Sequence, residues 1–132
     1  MPPPLQRRLY HSQLSTREHL KSMGKIAQEG RVFAAAHGIS GLLIFDGLRF
    51  CEYLEGPAPA LGELMERIER DPRHVGLVHV IDSTLPGARL FQGWSLAYAM
   101  DEDAEPLQAI EALSGEAALA YFMSLVPQLD MA

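Results

Sequence analysis

The sequence predicts an α+β fold, a ferredoxin-like β-α-β-β-α-β-β sheet with two helices on one face and C-terminal helices covering the other. Three observations lead to this prediction. Apolar runs rich in branched and aromatic residues recur as they do in strands. Two segments between those runs carry apolar residues at three- and four-residue steps, as helices do. The residues after 104 read as two further short helices split at Gly115.

Five runs are predicted to be strands, and turn residues separate them. The pair Asp46-Gly47 is the strongest short-range hairpin signal, so the second and third strands should form a hairpin. The turn before the last strand is expected at Pro86-Gly87. The predicted strands cover residues 5–12, 39–45, 48–54, 75–81 and 89–98.

The two helices on one face have recognisable starts and ends. Ser15 followed by Glu18 forms a capping box, so the first helix should begin there and end near Gly38, which tolerates a left-handed conformation. Pro59 suits the first turn of the second helix, and the Asp71-Pro72 pair should stop it. Their apolar faces are Leu20, Met23, Ile26 and Ala27, then Leu61, Leu64, Met65 and Ile68.

Composition and motifs exclude several classes of function. The net charge of −6 argues against binding to nucleic acid or to an anionic membrane surface, and no apolar run is long enough to span a membrane. One cysteine, Cys51, and five scattered histidines do not give a metal-binding spacing, so the histidines are expected in loops or at the surface. No phosphate loop or nucleophile elbow indicates an enzyme. We therefore expect a cytoplasmic protein without catalytic residues.

Four segments stand in an order and register that resemble one family. They are Leu9-Tyr10-His11-Ser12, then Gly38-Ile39-Ser40-Gly41-Leu42-Leu43, then Phe50-Cys51-Glu52-Tyr53-Leu54-Glu55-Gly56-Pro57, and finally Asp71-Pro72-Arg73-His74 with Arg89-Leu90-Phe91-Gln92-Gly93-Trp94-Ser95-Leu96-Ala97-Tyr98. Together they resemble the BLUF family, the sensors of blue light using FAD. Residues 1–100 are then the BLUF-like domain, and residues 101–132 are a helical extension packed on it.

The resemblance implies a cofactor and a mechanism. In this family the isoalloxazine ring of a flavin lies between the two helices on one face of the sheet. A Tyr and a Gln on strands and an Asn on the first helix form hydrogen bonds with the ring and with one another. Light drives electron and proton transfer from the Tyr to the flavin, and the last strand and the C-terminal helices transmit the change.

Residue by residue, part of this flavin site is retained and part is replaced. By resemblance Tyr10 is the Tyr, Glu52 stands at the Gln position and Ala34 at the Asn position. Leu96 stands where the family has Met. The remaining residues that the resemblance assigns to the flavin are Arg31, Phe50, Trp94, and the pair Arg73 and His74, which matches a pair near the ribityl-phosphate end.

The two substitutions have physical consequences. Strand alternation places Glu52 on one face with Phe50 and Leu54, where a buried carboxyl group would have a raised pKa. A neutral Glu52 has one donor and one acceptor and would stand in for Gln. Glu52 would instead be unrelated to flavin if it paired with an Arg or reached solvent at a strand edge. Ala34 has no hydrogen-bonding group, so flavin affinity should fall by roughly tenfold or more.

Two functions follow. The first is a flavin-binding blue-light sensor with altered photochemistry, which holds FAD weakly. The alternative is a flavin-free, light-insensitive protein-interaction module in which FAD binding has been lost. Both need an output, so we expect a homo-oligomer and a separate downstream protein partner. The apolar C-terminal helices are candidates both for covering the sheet and for self-association.

Overall fold

The fold was obtained as a computed structural model that describes residues 4–15, 22–92 and 96–129. Its strands are β1 (Gln6–Leu14), β2 (Ser40–Phe45), β3 (Arg49–Gly56), β4 (His74–Thr84) and β5 (Leu96–Met100). Its helices are α1 (Ser22–His37), α2 (Ala58–Arg70), α3 (Glu105–Glu111) and α4 (Gly115–Leu125), with a short 3₁₀ helix at Val126–Gln128.

The strands form one mixed sheet in the order β4-β1-β3-β2-β5. β1 is antiparallel to both β3 and β4, β2 is antiparallel to β3, and β5 is parallel to β2. Each β-α-β unit therefore leaves a gap that a strand from the other unit fills, which is the ferredoxin-like arrangement. The predicted fold class is confirmed, with the additional strand placed beside β2.

β3 divides its side chains between the two faces of the sheet, as its alternation predicts. Phe50 and Leu54 pack with residues of α1 and α2. Cys51 and Tyr53 pack on the opposite face, where Phe122 of α4 is fully buried. The C-terminal helices therefore cover the face that α1 and α2 leave free.

The β2–β3 hairpin forms where the sequence predicts it. The side-chain oxygen Oδ1 of Asp46 accepts hydrogen bonds from the backbone N–H groups of Leu48 (3.0 Å) and Arg49 (2.6 Å). Gly47 has a φ of +101°, which a residue with a side chain rarely adopts. Both residues of the Asp46-Gly47 pair are therefore required by the turn.

The first helix is confirmed at its C-terminal end. Its last residue is His37, and Gly38 follows with a φ of +70°. Ile26 and Ala27 are buried, as their spacing predicts. Most of the predicted capping box, together with the side chains of Leu20 and Met23, lies outside the described residues.

The first part of the predicted last strand is wrong, because residues 89–92 are not strand, and β5 is described from Leu96 to Met100. The backbone N–H groups of Leu90 and Phe91 donate to the side-chain carboxylate of Glu55, each at 2.8 Å. Those amides are therefore not available for a strand ladder. A strand-like pattern cannot reveal that a carboxylate from a distant part of the sequence takes these amides.

No described helix is long and apolar enough to cross a membrane.

Candidate functional site

A cleft lies between α1 and α2 above the sheet. Its empty volume is about 600 Å³, including the open mouth. Polar groups lie at its base and charged groups at its rim, while its walls are mainly apolar. The apolar lining residues are Ile26 and Phe33 from α1, Leu43 from β2, and Leu64 and Ile68 from α2.

The base of the cleft is formed by a hydrogen-bonded pair, Tyr10 and Glu52. The two residues are direct neighbours in the antiparallel pairing of β1 with β3, so their side chains project from the same face. Tyr10 Oη donates to Glu52 Oε1 over 2.5 Å. Tyr10 is 1% exposed and Glu52 is 3% exposed. The sequence left open whether Glu52 is buried or reaches solvent at a strand edge, and the structure shows that it is buried.

Burial determines the protonation of this pair. It raises the pKa of Glu52 to about 7, although the hydrogen bond from Tyr10 acts in the opposite direction. Burial, and then the neighbouring Glu52, raise the pKa of Tyr10 well above its usual value. The ion pairs of the described residues do not include Glu52. Glu52 is therefore a mixture of neutral and ionised forms near neutral pH, and Tyr10 keeps its proton.

His74 lies beside this pair and is neutral. Its Nδ1 forms a hydrogen bond of 3.0 Å with Ser12 Oγ, and its ring lies 4.5 Å from that of Phe50. Burial lowers the pKa of His74 to about 4. The expectation that the histidines lie in loops or at the surface is wrong for His74 and for His11, which is buried in β1. His74 therefore does not supply a positive charge for a phosphate group.

Arg73 closes one rim of the cleft. Its Nε and Nη2 donate to both carboxylate oxygens of Asp71, at 2.7–3.0 Å, and Nη2 also donates to Glu29 of α1 at 2.9 Å. The hydrogen bonds with Asp71 are the main reason that the pKa of Arg73 is raised. This cation therefore joins the end of α2 to α1, and two carboxylates balance its charge.

Arg67 of α2 also lines the cleft and contacts α1. Its guanidinium carbon is 4.4 Å from the centre of the Phe33 ring on α1, a cation–π contact. Its Nη2 also donates to Glu63 one turn earlier, at 3.3 Å. Two arginines thus connect this part of α1 to α2 and to the residues that follow it, through partners one helical turn apart on α1.

The other residues assigned by resemblance do not all reach the cleft. Ala34 is fully buried in the apolar cluster that includes Leu54 and Leu61, so no polar group of α1 faces the base at that position. Phe50 is also buried, and its ring packs against that of His74. Arg31 is half-buried on α1 and does not line the cleft.

Two assigned residues, Trp94 and Leu96, lie in the segment predicted as the last strand. Trp94 lies outside the described residues. The backbone of Leu96 pairs with Gly41 at the start of β5, and its side chain is outside the described part. Of the nine residues, the structure therefore brings Tyr10, Glu52, Arg73 and His74 together around one cleft.

Sequence reasoning missed several lining residues. Ile26, Glu29 and Phe33 follow one another at three- and four-residue steps on α1. Leu64, Arg67, Ile68 and Asp71 do so along α2 and just beyond it. This spacing is the signal that would have found them, because such residues share one helix face. The spacing alone does not show which helix face lines a cleft and which face packs into the core.

The cleft fits the ring system of a flavin. A flavin ring is flat and apolar on its faces, with donors and acceptors along one edge. The walls offer apolar contacts from α1 and α2, and a neutral Glu52 offers one donor and one acceptor at the base. Among the described residues no three potential ligands gather as a metal site would require.

Comparisons with known proteins agree with this geometry. A family model described as sensors of blue-light using FAD (BLUF) matches residues 5–97. BlrB, a BLUF protein solved in its dark state, is 27% identical with a TM-score of 0.78, and the match covers 93% of this chain and 95% of BlrB. BlsA in a photo-activated state is 24% identical with a TM-score of 0.76, over 91% and 92% of the two chains, and shows the fold alone.

A third similar structure belongs to a longer protein. BlrP1 of Klebsiella pneumoniae, solved with FMN and cyclic diGMP, is 28% identical with a TM-score of 0.66 over 74% of this chain. The match covers 26% of BlrP1, so this chain corresponds to about a quarter of that protein. No relative was found among curated protein sequences. The family model matches more than half of this chain, and the matched residues 5–97 include every residue that lines the cleft. This chain therefore belongs to the BLUF family of sensors of blue light using FAD.

Proposed function

We propose that this protein is a flavin-binding blue-light sensor in which Glu52 takes the place of the Gln used elsewhere in the family. The observation that carries the proposal is the 2.5 Å hydrogen bond from Tyr10 to Glu52 at the base of an apolar cleft. Tyr10 and Glu52 are both buried, are hydrogen-bonded to each other and line the same cleft, and packing alone would not require this arrangement. FAD is the proposed cofactor.

The protonation state of Glu52 is central to the proposed mechanism. Tyr10 and Glu52 would face the ring of a flavin held in the cleft, and the flavin would supply the absorption of blue light and an acceptor for an electron from Tyr10. A proton released by Tyr10 Oη has Glu52 Oε1 as its nearest acceptor. An ionised Glu52 can accept that proton, whereas a neutral Glu52 already holds a proton and offers Tyr10 no carboxylate acceptor. We therefore propose photochemistry that depends on pH, unlike that of a site built with Gln.

Flavin affinity is proposed to be modest. The buried Ala34 contributes no hydrogen bond to the polar edge of the ring. Arg73, the arginine at the rim, is held by Asp71 and Glu29 and offers little free charge to a phosphate. Tight binding would then depend on apolar contacts with the walls and on Glu52.

An absorption experiment tests this function. The protein is purified in the dark after supplementation with FAD, and its visible spectrum is recorded before and after blue light. We expect a flavin band that shifts to longer wavelength and recovers in darkness. Tyr10→Phe should keep the band and lose the shift, while Glu66→Gln, an exposed substitution on α2 outside the cleft, serves as a control. Folded protein without a flavin band would refute the sensor function and leave the flavin-free interaction module.

We further propose that the output passes to a separate cytoplasmic protein or through self-association. Phe122 and Leu125 are buried against the sheet, which leaves the partly buried Tyr121, Met123 and Val126 at the margin of this cluster for such contacts. Light scattering coupled to size-exclusion chromatography, in darkness and under blue light, measures the assembly state. A monomer under both conditions would reject self-association.

A further inference from the structure

A second buried carboxylate, Glu55, lies near the end of β3 on the sheet face opposite the cleft. It is fully buried and each of its oxygens accepts two hydrogen bonds. The donors are Tyr53 Oη at 3.1 Å, Ser40 Oγ at 2.9 Å, and the backbone N–H groups of Leu90 and Phe91 at 2.8 Å each. Because every neighbour is a donor, an acceptor-only side chain is required here.

Arg89 extends this arrangement to the first helix. Its Nη2 donates to the carbonyl oxygen of Gly38, directly after α1, at 2.8 Å. Its Nη1 donates to Ser40 Oγ at 2.9 Å and to the carbonyl oxygen of Glu55 at 3.3 Å. The end of α1, which forms one wall of the cleft, is thus tied to the same group of residues.

The segment held by Glu55 leads directly into β5. Leu96, the first described residue of β5, is five residues after Phe91, so their Cα atoms cannot lie more than roughly 18 Å apart. The Phe91 ring packs against Tyr53, with ring centres 5.8 Å apart, and is itself buried in the core beneath the C-terminal helices. Fixing Leu90 and Phe91 therefore restricts where β5 can enter the sheet.

We propose that Glu55 is a positioning residue that sets the entry of β5 beside β2 and couples it to α1. Its carboxylate replaces a strand ladder for Leu90 and Phe91, so the start of β5 depends on a side chain of β3. A consequence for light sensing rests on the proposed function, because the resemblance assigns flavin contacts to Trp94 and Leu96. Glu55 itself lies on the other face of the sheet from Glu52 and does not line the cleft.

Amide hydrogen exchange of the flavin-free protein tests the proposal. In Glu55→Gln an NH₂ group replaces one oxygen and faces its two donors, so two of the four hydrogen bonds are lost. We expect the amides of Leu90 and Phe91 to exchange roughly tenfold faster or more. The amides of β5, which Glu55 does not touch, should also exchange several-fold faster, whereas those of the β1–β4 pair should not. Glu66→Gln, an exposed substitution on α2, is the matched control.

Unchanged β5 exchange in Glu55→Gln would overturn the proposal, because Glu55 would then have only a local role. If this variant does not fold, Ser40→Ala and Tyr53→Phe each remove one donor and keep the carboxylate. Both should show the same pattern with smaller changes, and unchanged β5 exchange in both would equally overturn it.

A spectroscopic measurement separates this inference from the proposed function. With FAD bound, Glu55→Gln should keep the dark absorption maximum, because it does not line the cleft, and should change the rate of recovery after blue light. A wild-type protein without a light-induced shift would reject the proposed function, while the exchange result would still decide the role of Glu55. A normal recovery rate in a variant with faster β5 exchange would reject the link to light sensing.

Discussion

The buried carboxyl of Glu52 should make the protein less stable as pH rises. In the unfolded chain Glu52 ionises with an ordinary pKa of 4.5, whereas burial raises its pKa to about 7 in the fold. Between these values the folded state retains a proton that the unfolded state has released. The contribution of Glu52 to stability is therefore fully present below about pH 4.5 and is lost as pH rises through 7.

The size of this effect follows from the two pKa values. A difference between 4.5 and about 7 corresponds to roughly 3 kcal/mol of unfolding free energy. His74 acts in the opposite direction, because burial lowers its pKa from 6.5 to about 4, so its contribution is lost as pH falls through that range. The two effects largely cancel between about pH 4.5 and 6.5, and a wild-type profile alone would hide both.

Comparison with Glu52→Gln isolates the effect, since the variant keeps His74 and the shape of the side chain. Unfolding free energies are measured by urea denaturation of both flavin-free proteins at several pH values from 4.5 to 8. Relative to the difference at pH 4.5, the variant should gain roughly 3 kcal/mol over wild type by pH 8. A difference that stays constant within about 0.5 kcal/mol would show that Glu52 is not buried as described.

Three further predictions concern the fold and the cleft. Gly41→Ala should destabilise by about 3 kcal/mol or more in thermal unfolding, because its φ is +155° and the new Cβ would lie 1.9 Å from the carbonyl oxygen of Tyr53. Gly62→Ala in α2, where a Cβ meets nothing within 4 Å, should stabilise by up to about 1 kcal/mol, and equal effects would contradict this account. Ala34→Asn should destabilise the flavin-free protein by about 1–3 kcal/mol in urea, because its amide enters the apolar cluster in which Ala34 is fully buried, and unchanged stability would contradict that burial. Phe122→Ala should cost roughly 3–5 kcal/mol in urea, and a near-neutral result would place α4 away from the sheet.

Local sequence patterns predicted most of the fold. The hairpin at Asp46-Gly47 depends on two adjacent residues, and the sides of β3 depend on an alternation that no distant residue can change. The same alternation placed Glu52 on the face with Phe50 and Leu54, and the four matching segments indicated the family. Each of these features depends on residues that are close together in the sequence, so a local pattern is sufficient to predict it.

Only the tertiary structure decided the chemistry of the site. Whether Glu52 is buried depends on α1 and α2 lying above it, and its raised pKa depends on that burial and on Tyr10 from another strand. The absence of a strand at residues 89–92 has the same kind of cause, since Glu55 accepts hydrogen bonds from two amides that lie 35 and 36 residues away. Burial and hydrogen-bond partners are set by residues far apart in sequence, and a local pattern carries no record of them.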